Sequence, residues 1–512
     1  MKRLSPDIIF KSEYLSKDLA RKSVRGGMTT MAAQGIQFAL NIVGTMILAR
    51  LLTPKDYGLV GMVTVVVNFA AMFKDAGLSM ATIQKDKISP EQISTLFWIN
   101  VIISAFLGFC VLICSPLVAW FYSKPELTAV TAALSISFII TGLTIQHRAL
   151  IRRHMQFGTL AIVQISSYLM NLVVAIILAL LGFRYWAIVG GTIATALSST
   201  LITLFFCPWL PGRMKKGTGV RDMLKFGVHL TGFDFVNYFS RNADNMLIGK
   251  FLGADALGLY AKAYQIFMMP INQIRTPINN VSVPALCAIR NDHARYRNYY
   301  RKIIFLISFI NMPLVGFLII FAENIIILIL GKQWIGAVLV FQILAVTGFI
   351  QSAVQAGRGL PLLSMGFSRR YLYFGILQSI VTVIGFVIGL HWGIIGVAAG
   401  YGIAFYLLIP FTIVWCLKGS PVTISDWMLA ISSPILATLV MIPFMILIKD
   451  FIQHNVKVID LPLYANLKVT FIGGTVGMVV YALGVFSLPI GRENLSGGLQ
   501  LFRQTLKNRR DS

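Results

Sequence analysis

Charged residues are scarce in this 512-residue chain, at 12%, and the acidic ones scarcest, with 19 Asp and Glu against 44 Lys and Arg. A soluble domain carries about twice that charged fraction. Cysteine is nearly absent, five in all, which excludes a disulfide-rich secreted scaffold. There is no Gly-x4-Gly-Lys-Ser/Thr phosphate loop, no His-Glu-x-x-His and no Cys-x-x-Cys. Nucleotide hydrolysis by that loop and the commonest zinc arrangements therefore drop out. The longest outward-facing stretch, about 449–463, is too short for a catalytic domain. The expectation is a protein that is not an enzyme, with no catalytic residue, metal or cofactor.

What is abundant is apolar: 57% of residues are hydrophobic, and the mean hydropathy is +0.77. Disorder is excluded at that hydrophobicity. The net charge of +25 alone would suit a nucleic-acid binder, but the hydropathy does not. An integral membrane protein with its positive charge in the loops accounts for both, with no nucleic-acid partner.

A helix needs roughly 20 mostly apolar residues to cross the hydrocarbon core. Hydropathy maxima lie near 28–52, 57–80, 94–120, 128–146, 158–181, 186–208, 226–250, 258–283, 303–322, 337–357, 371–390, 394–417, 427–448 and 464–488. The expectation is an all-α integral membrane fold with about fourteen spans. The first apolar stretch is too long for a signal core and is expected to be retained. Counted over alternate loops, 31 Lys and Arg fall on one side and nine on the other. That bias puts both termini in the cytoplasm, and the basic side faces anionic inner-leaflet lipid.

The chain repeats itself at an offset of 200. Met46/Met246, Leu52/Leu252, Gly58/Gly258 and Leu59/Leu259 coincide, and Arg50/Lys250 keeps its charge. Gln34, Gln37, Asn41 and Thr45 form a polar stripe at helical spacing, and Asp234, Asn237, Arg241 and Asn245 stand at the same positions plus 200. This implies two six-helix lobes in a parallel pseudo-two-fold repeat, with the last two helices outside it, a plan found in transporters that bind substrate between halves. The expected segments are a cytoplasmic 1–26, lobes at 27–209 and 226–418 joined by a basic linker at 210–225, helices at 427–488 and a basic tail at 489–512.

Ionisable groups inside spans are costly and usually face protein or water. Arg241 and Asp234 lie near the middle of the seventh span, with Asp244 at i+3 from Arg241. Lys262 and Arg275 lie in the eighth, and Lys74 and Asp75 in the second. Arg241 and Asp244 either neutralise each other or help line a cationic cavity for an anionic head group, since arginine's planar fork suits phosphate oxygens. Asp234 or Asp75 is where a coupling H⁺ or Na⁺ would bind. His147 and His154 bracket a basic loop and read as headgroup-facing. Gly396/Gly400 and Gly473/Gly477 read as small-x3-small helix contacts.

Three segments carry a resemblance: 49–58 (Ala-Arg-Leu-Leu-Thr-Pro-Lys-Asp-Tyr-Gly), 146–157 (Gln-His-Arg-Ala-Leu-Ile-Arg-Arg-His-Met-Gln-Phe) and 237–253 (Asn-Tyr-Phe-Ser-Arg-Asn-Ala-Asp-Asn-Met-Leu-Ile-Gly-Lys-Phe-Leu-Gly), the last followed by Leu-Gly-Leu-Tyr at 257–260. The chain resembles Wzx-type polysaccharide transporters, most of all the colanic-acid-exporter-like branch, within the multidrug/oligosaccharidyl-lipid/polysaccharide (MOP) exporter superfamily. The resemblance runs from about 25 to 420. It implies a flippase that moves a polyprenyl-pyrophosphate-linked oligosaccharide (an exopolysaccharide, O-antigen or capsule repeat unit) across a bacterial inner membrane by alternating access. Other polysaccharide assembly proteins are then candidate partners. It also implies that cavity cations meet the pyrophosphate: Arg241 first, then Lys74 and Arg275. Lys262, Asp234, Asn237, Asp244, Gln34 and Asn41 complete the expected binding set. Asn41 stands where a basic residue opposite Arg241 would be expected. The alternative is a cation-coupled multidrug exporter of the same superfamily, which would favour an acidic pocket. The span charges lean the other way, four basic (Lys74, Arg241, Lys262, Arg275) to three acidic (Asp75, Asp234, Asp244).

Overall fold

The computed structural model describes residues 19–75, 77–85, 88–215, 238–239, 241–455, 462–489 and 491–492, and these are helical with no strand among them. Asp234 and Asn237 lie outside the described residues. The chain divides into two compact units, one ending at Gly258 and the other beginning at Leu259.

The first unit holds α1 (Leu19–Leu51), α2 (Pro54–Met72), the short α3 (Leu78–Gln84), α4 (Pro90–Ile113), α5 (Ser115–Tyr122), α6 (Glu126–Gly142), α7 (Ile145–Arg153), α8 (Phe157–Leu180), α9 (Trp186–Phe206) and α10 (241–251). The helix starts are written locally. Thr53 caps α2 and Ser89 caps α4, each in a reciprocal capping box (with Asp56 and Gln92) and each followed by proline in the first turn. Helix α6 packs against α2, α4 and α9, and α8 packs between α1 and α9. Leu78, Ile93, Leu96, Phe97, Leu150, Ile151 and Trp209 form a buried cluster where α3, α4 and α7 meet the segment after α9.

The second unit holds α11 (Gly253–Ala288, begun in the first), α12 (His293–Ile320), α13 (Ala322–Ile329), α14 (Val338–Ser364), α15 (Ser368–Gly389), α16 (Gly393–Leu417), α17 (Ile424–Asn455) and α18 (Pro462–Ser487). Helix α12 packs on α14 and α17, α14 on α16, and α17 on α18. Its interior is rich in fully buried aromatics, among them Trp334, Tyr296, Tyr300, Phe321 and Phe341. Asp426, almost inaccessible, accepts hydrogen bonds from Arg297 Nε at 2.9 Å and Nη2 at 3.1 Å while also closing the cap of α17 with Thr423.

The expectation of about fourteen spans in two six-helix lobes is corrected here. Among the described residues nine helical stretches are long and apolar enough to cross a membrane, or ten if the bent pair Glu126–Gly142 and Ile145–Arg153 forms one. Hydropathy maxima overcount for physical reasons. The 57–80 maximum breaks when α2 ends at Met72, and 94–120 divides between α4 and α5. The 258–283 maximum lies in α11, whose 36 residues contain Pro270, Pro277 and Pro284 as well as Lys262 and Arg275. Most of 226–250 up to residue 237 lies outside the described residues.

Two glycine contacts hold helices at backbone distance. A Cβ on Gly58 would lie 1.7 Å from the Ala254 carbonyl oxygen, and one on Gly258 would lie 1.9 Å from that of Pro54. Positions 54 and 58 thus meet 254 and 258 reciprocally, so the offset of 200 marks a local two-fold contact. In the second unit Gly385 meets Gly400, and Gly389 meets Gly396, the small-residue contact expected from Gly396/Gly400.

Because the opposing atoms are backbone, Gly58→Ala and Gly258→Ala should each destabilise the protein by about 1–3 kcal/mol. Gly35→Ala, where nothing lies within 4 Å, should be neutral or slightly stabilising. Thermal melting in detergent checks this, and equal midpoints for all three variants would refute the close-contact argument.

Candidate functional site

The first unit encloses a polar cavity of about 730 Å³. Its walls come from α1, α2, α3, α6, α7, α8 and α9, and the charged residues lining it are Lys74, Asp75, Arg148 and Arg152.

Each charge is placed by a local device. Helix α2 stops at Met72, and Gly77, at φ 69°, turns the chain into α3. Lys74 and Asp75 fall in that turn. Lys74 Nζ donates to Thr141 Oγ1 at 2.8 Å. Asp75 Oδ1 accepts from the backbone N–H of Ser79 at 2.9 Å and from its hydroxyl at 2.8 Å, so this carboxylate caps the start of α3. Helix α7 sorts its basic residues by face. Ile145, Arg148, Ala149 and Arg152 recur at i, i+3, i+4 and i+7 and line the cavity. Arg153 points the other way and is buried. Its Nη1 donates to the carbonyls of Thr82 (2.8 Å), Ile83 (3.3 Å) and Lys85 (2.5 Å), the exposed carbonyl end of α3. The same face of α7 is fastened by Gln146, which accepts from Thr82 Oγ1 at 2.9 Å.

Three basic groups therefore share one cavity with one acid, and Lys74 and Arg148 lie close enough to repel each other. Arg148 is half-buried, and its Nε is shut from solvent without a hydrogen-bond partner among the described residues. A buried cationic donor left without an acceptor is costly, and an anionic oxygen in the cavity would satisfy it.

Among the described residues, Lys74 of the expected binding set lines this cavity, together with Asp75, the candidate for a coupling ion. Gln34 is exposed and Asn41 half-buried, and neither lines it, although Gln37 between them does. Arg241 is exposed and Asp244 buried, and no ion pair joins them among the described residues. Lys262 is buried in the second unit and donates to Gln265 Oε1 at 3.0 Å. Arg275 donates to Gln355 and to Asn272 Oδ1. Arg148 and Arg152 escaped the sequence reading because they look like loop charge. The signal that could have found them is the helical spacing 145, 148, 149, 152. His147 does not face head groups: it is buried, with Nε2 3.0 Å from the Trp209 carbonyl and its ring edge-on to Phe97.

An all-helical bundle with several membrane-crossing helices and a cationic cavity is the architecture of a polytopic membrane protein, and such a cavity suits transport of a polar group. Residues 47–339, more than half of the chain, match the polysaccharide biosynthesis protein family, and the chain belongs to that family. It is a multi-pass membrane protein of that family, and its similarity to the relatives below bears out the resemblance to polysaccharide transporters. It is 26% identical to the lipopolysaccharide biosynthesis protein WzxC of Escherichia coli (strain K12) over 75% of this chain and 78% of that protein. It is 27% identical to an uncharacterized membrane protein in the cps region of Klebsiella pneumoniae, over 91% of this chain and 95% of that one. Among solved structures, the lipid II flippase MurJ in an inward closed conformation aligns with a TM-score of 0.69 at 14% identity, covering 89% of this chain and 98% of that chain, a likeness of fold.

Removing the Arg153 fork frees the end of α3. Arg153→Ala should cost about 1.5–3 kcal/mol, the range for hydrogen bonds to a charged group. Arg152→Ala, an exposed cavity residue, should stay within about 0.5 kcal/mol of the parent. The two melting curves decide it, and coincident curves would count against a structural role for Arg153.

Proposed function

We propose that this transporter moves a polyprenyl-pyrophosphate-linked oligosaccharide from the inner to the outer leaflet of a bacterial inner membrane by alternating access. The observation that carries the reading is the convergence of Lys74, Arg148 and Arg152 on one cavity, with Arg148 Nε lacking an acceptor among the described residues. A diphosphate supplies that acceptor and disperses the like-charge repulsion, and guanidinium groups suit its oxygens. Sugars and diphosphate cannot enter hydrocarbon, whereas a polyprenyl tail has no reason to leave it. A polar cavity thus lowers the barrier for the head group alone. Family membership, and similarity to an Escherichia coli protein of lipopolysaccharide biosynthesis, support a glycan cargo. Asp75 serves as the α3 cap, and Arg241, exposed, is a second candidate contact for the head group. An exporter of organic cations would want the opposite charge balance in this cavity.

Deleting the gene in its host should cause one intact oligosaccharide unit to accumulate on polyprenyl diphosphate, read by mass spectrometry of the lipid extract. The wild-type gene should clear it, while a Lys74→Ala/Arg148→Ala double variant at equal membrane abundance should leave most of it in place. Unchanged lipids with altered tolerance to cationic dyes would overturn the reading in favour of a drug exporter.

A further inference from the structure

The cavity is stratified. All four charged lining residues sit at one end, where α2 and α6 finish and α7 begins. Away from that end the described lining has amides and hydroxyls, and Tyr168 is the one ionisable group among the described residues there. Gln164 and Asn171 lie on one face of α8, seven residues apart, which is about 10 Å along the helix. Asn171 Nδ2 donates to Thr195 Oγ1 at 3.0 Å across to α9, which leaves its carbonyl oxygen and second N–H for other partners. On α2, Asn68 is exposed to the cavity six residues before Lys74.

We infer that this uncharged end is a sugar subsite, and that it seats an uncharged hexose or acetamido-hexose ring attached directly to the diphosphate held at the cationic end. The inference rests on the proposed function and narrows its substrate class. A primary amide offers a donor and an acceptor side by side, and neighbouring ring hydroxyls offer the same pair in return. A uronic acid in this place would meet no cation among the described residues, since Lys74, Arg148 and Arg152 are committed to the other end. A subsite built from hydrogen-bonding groups discriminates by leaving its own groups unpaired when the wrong ring enters.

The test uses the full-length protein in nanodiscs and three probes: polyprenyl diphosphate, its glucosyl derivative and its glucuronosyl derivative. The glucosyl lipid should bind at least fivefold more tightly than the bare diphosphate, and the glucuronosyl lipid should gain nothing. Asn68→Ala, whose exposed side chain carries no packing, and Asn171→Ala should each weaken the glucosyl lipid about fivefold, the loss of roughly one hydrogen bond, and leave the bare diphosphate unchanged. Equal binding of all three probes by the parent, or equal weakening of bare and glucosylated lipid by both variants, overturns the sugar subsite alone. Failure of the bare diphosphate to bind the parent overturns the anion site and the subsite with it.

Discussion

The guanidinium of Arg153 is the contact on which the cavity depends. One nitrogen collects three carbonyls from the end of α3, and in doing so ties that seven-residue helix to α7. So short a helix has no stability of its own. Held in place, it fixes the turn that carries Lys74 and Asp75. The opposite face of α7 then presents Arg148 and Arg152 to the same space. A positive charge turned inward on a structural task is what brings three others together on a functional one.

Around that point the bundle follows the economy of a membrane interior. Helices in lipid gain little from burying apolar side chains against one another, so close backbone approach and hydrogen bonds contribute more. The glycine contacts between α15 and α16, and between the starts of α2 and α11, are of the first kind. The tie from Tyr481 of α18 to the Phe309 carbonyl of α12 at 2.9 Å, and that from Trp427 of α17 to the Ala353 carbonyl of α14 at 3.2 Å, are of the second. Both join the last two helices to the rest of the second unit, where hydropathy alone had left them as an appendage.

Much was legible without coordinates. Hydropathy and charge scarcity gave the membrane class, and motif order gave the family. The capping boxes at Thr53 and Ser89 can be read letter by letter. The span count was not legible, because a hydropathy maximum does not show where a helix breaks: the maximum at 57–80 runs on through Lys74, Asp75 and Gly77, although α2 ends at Met72. The candidate site was legible only in Lys74 and Asp75. Arg148, Arg152 and Arg153 form one basic run, and only the direction of each side chain separates two cavity groups from a helix tie.

Composition and periodicity by themselves determined that this chain lives in a membrane and has cationic groups to spend, because solvation penalties act on residue types wherever they fall. The tertiary structure alone decided which cations share a cavity and which are used up in holding it. That choice depends on helix ends and crossing contacts between segments some seventy residues apart, such as Arg153 with Thr82 and Lys74 with Thr141, a separation at which local sequence pattern carries no information.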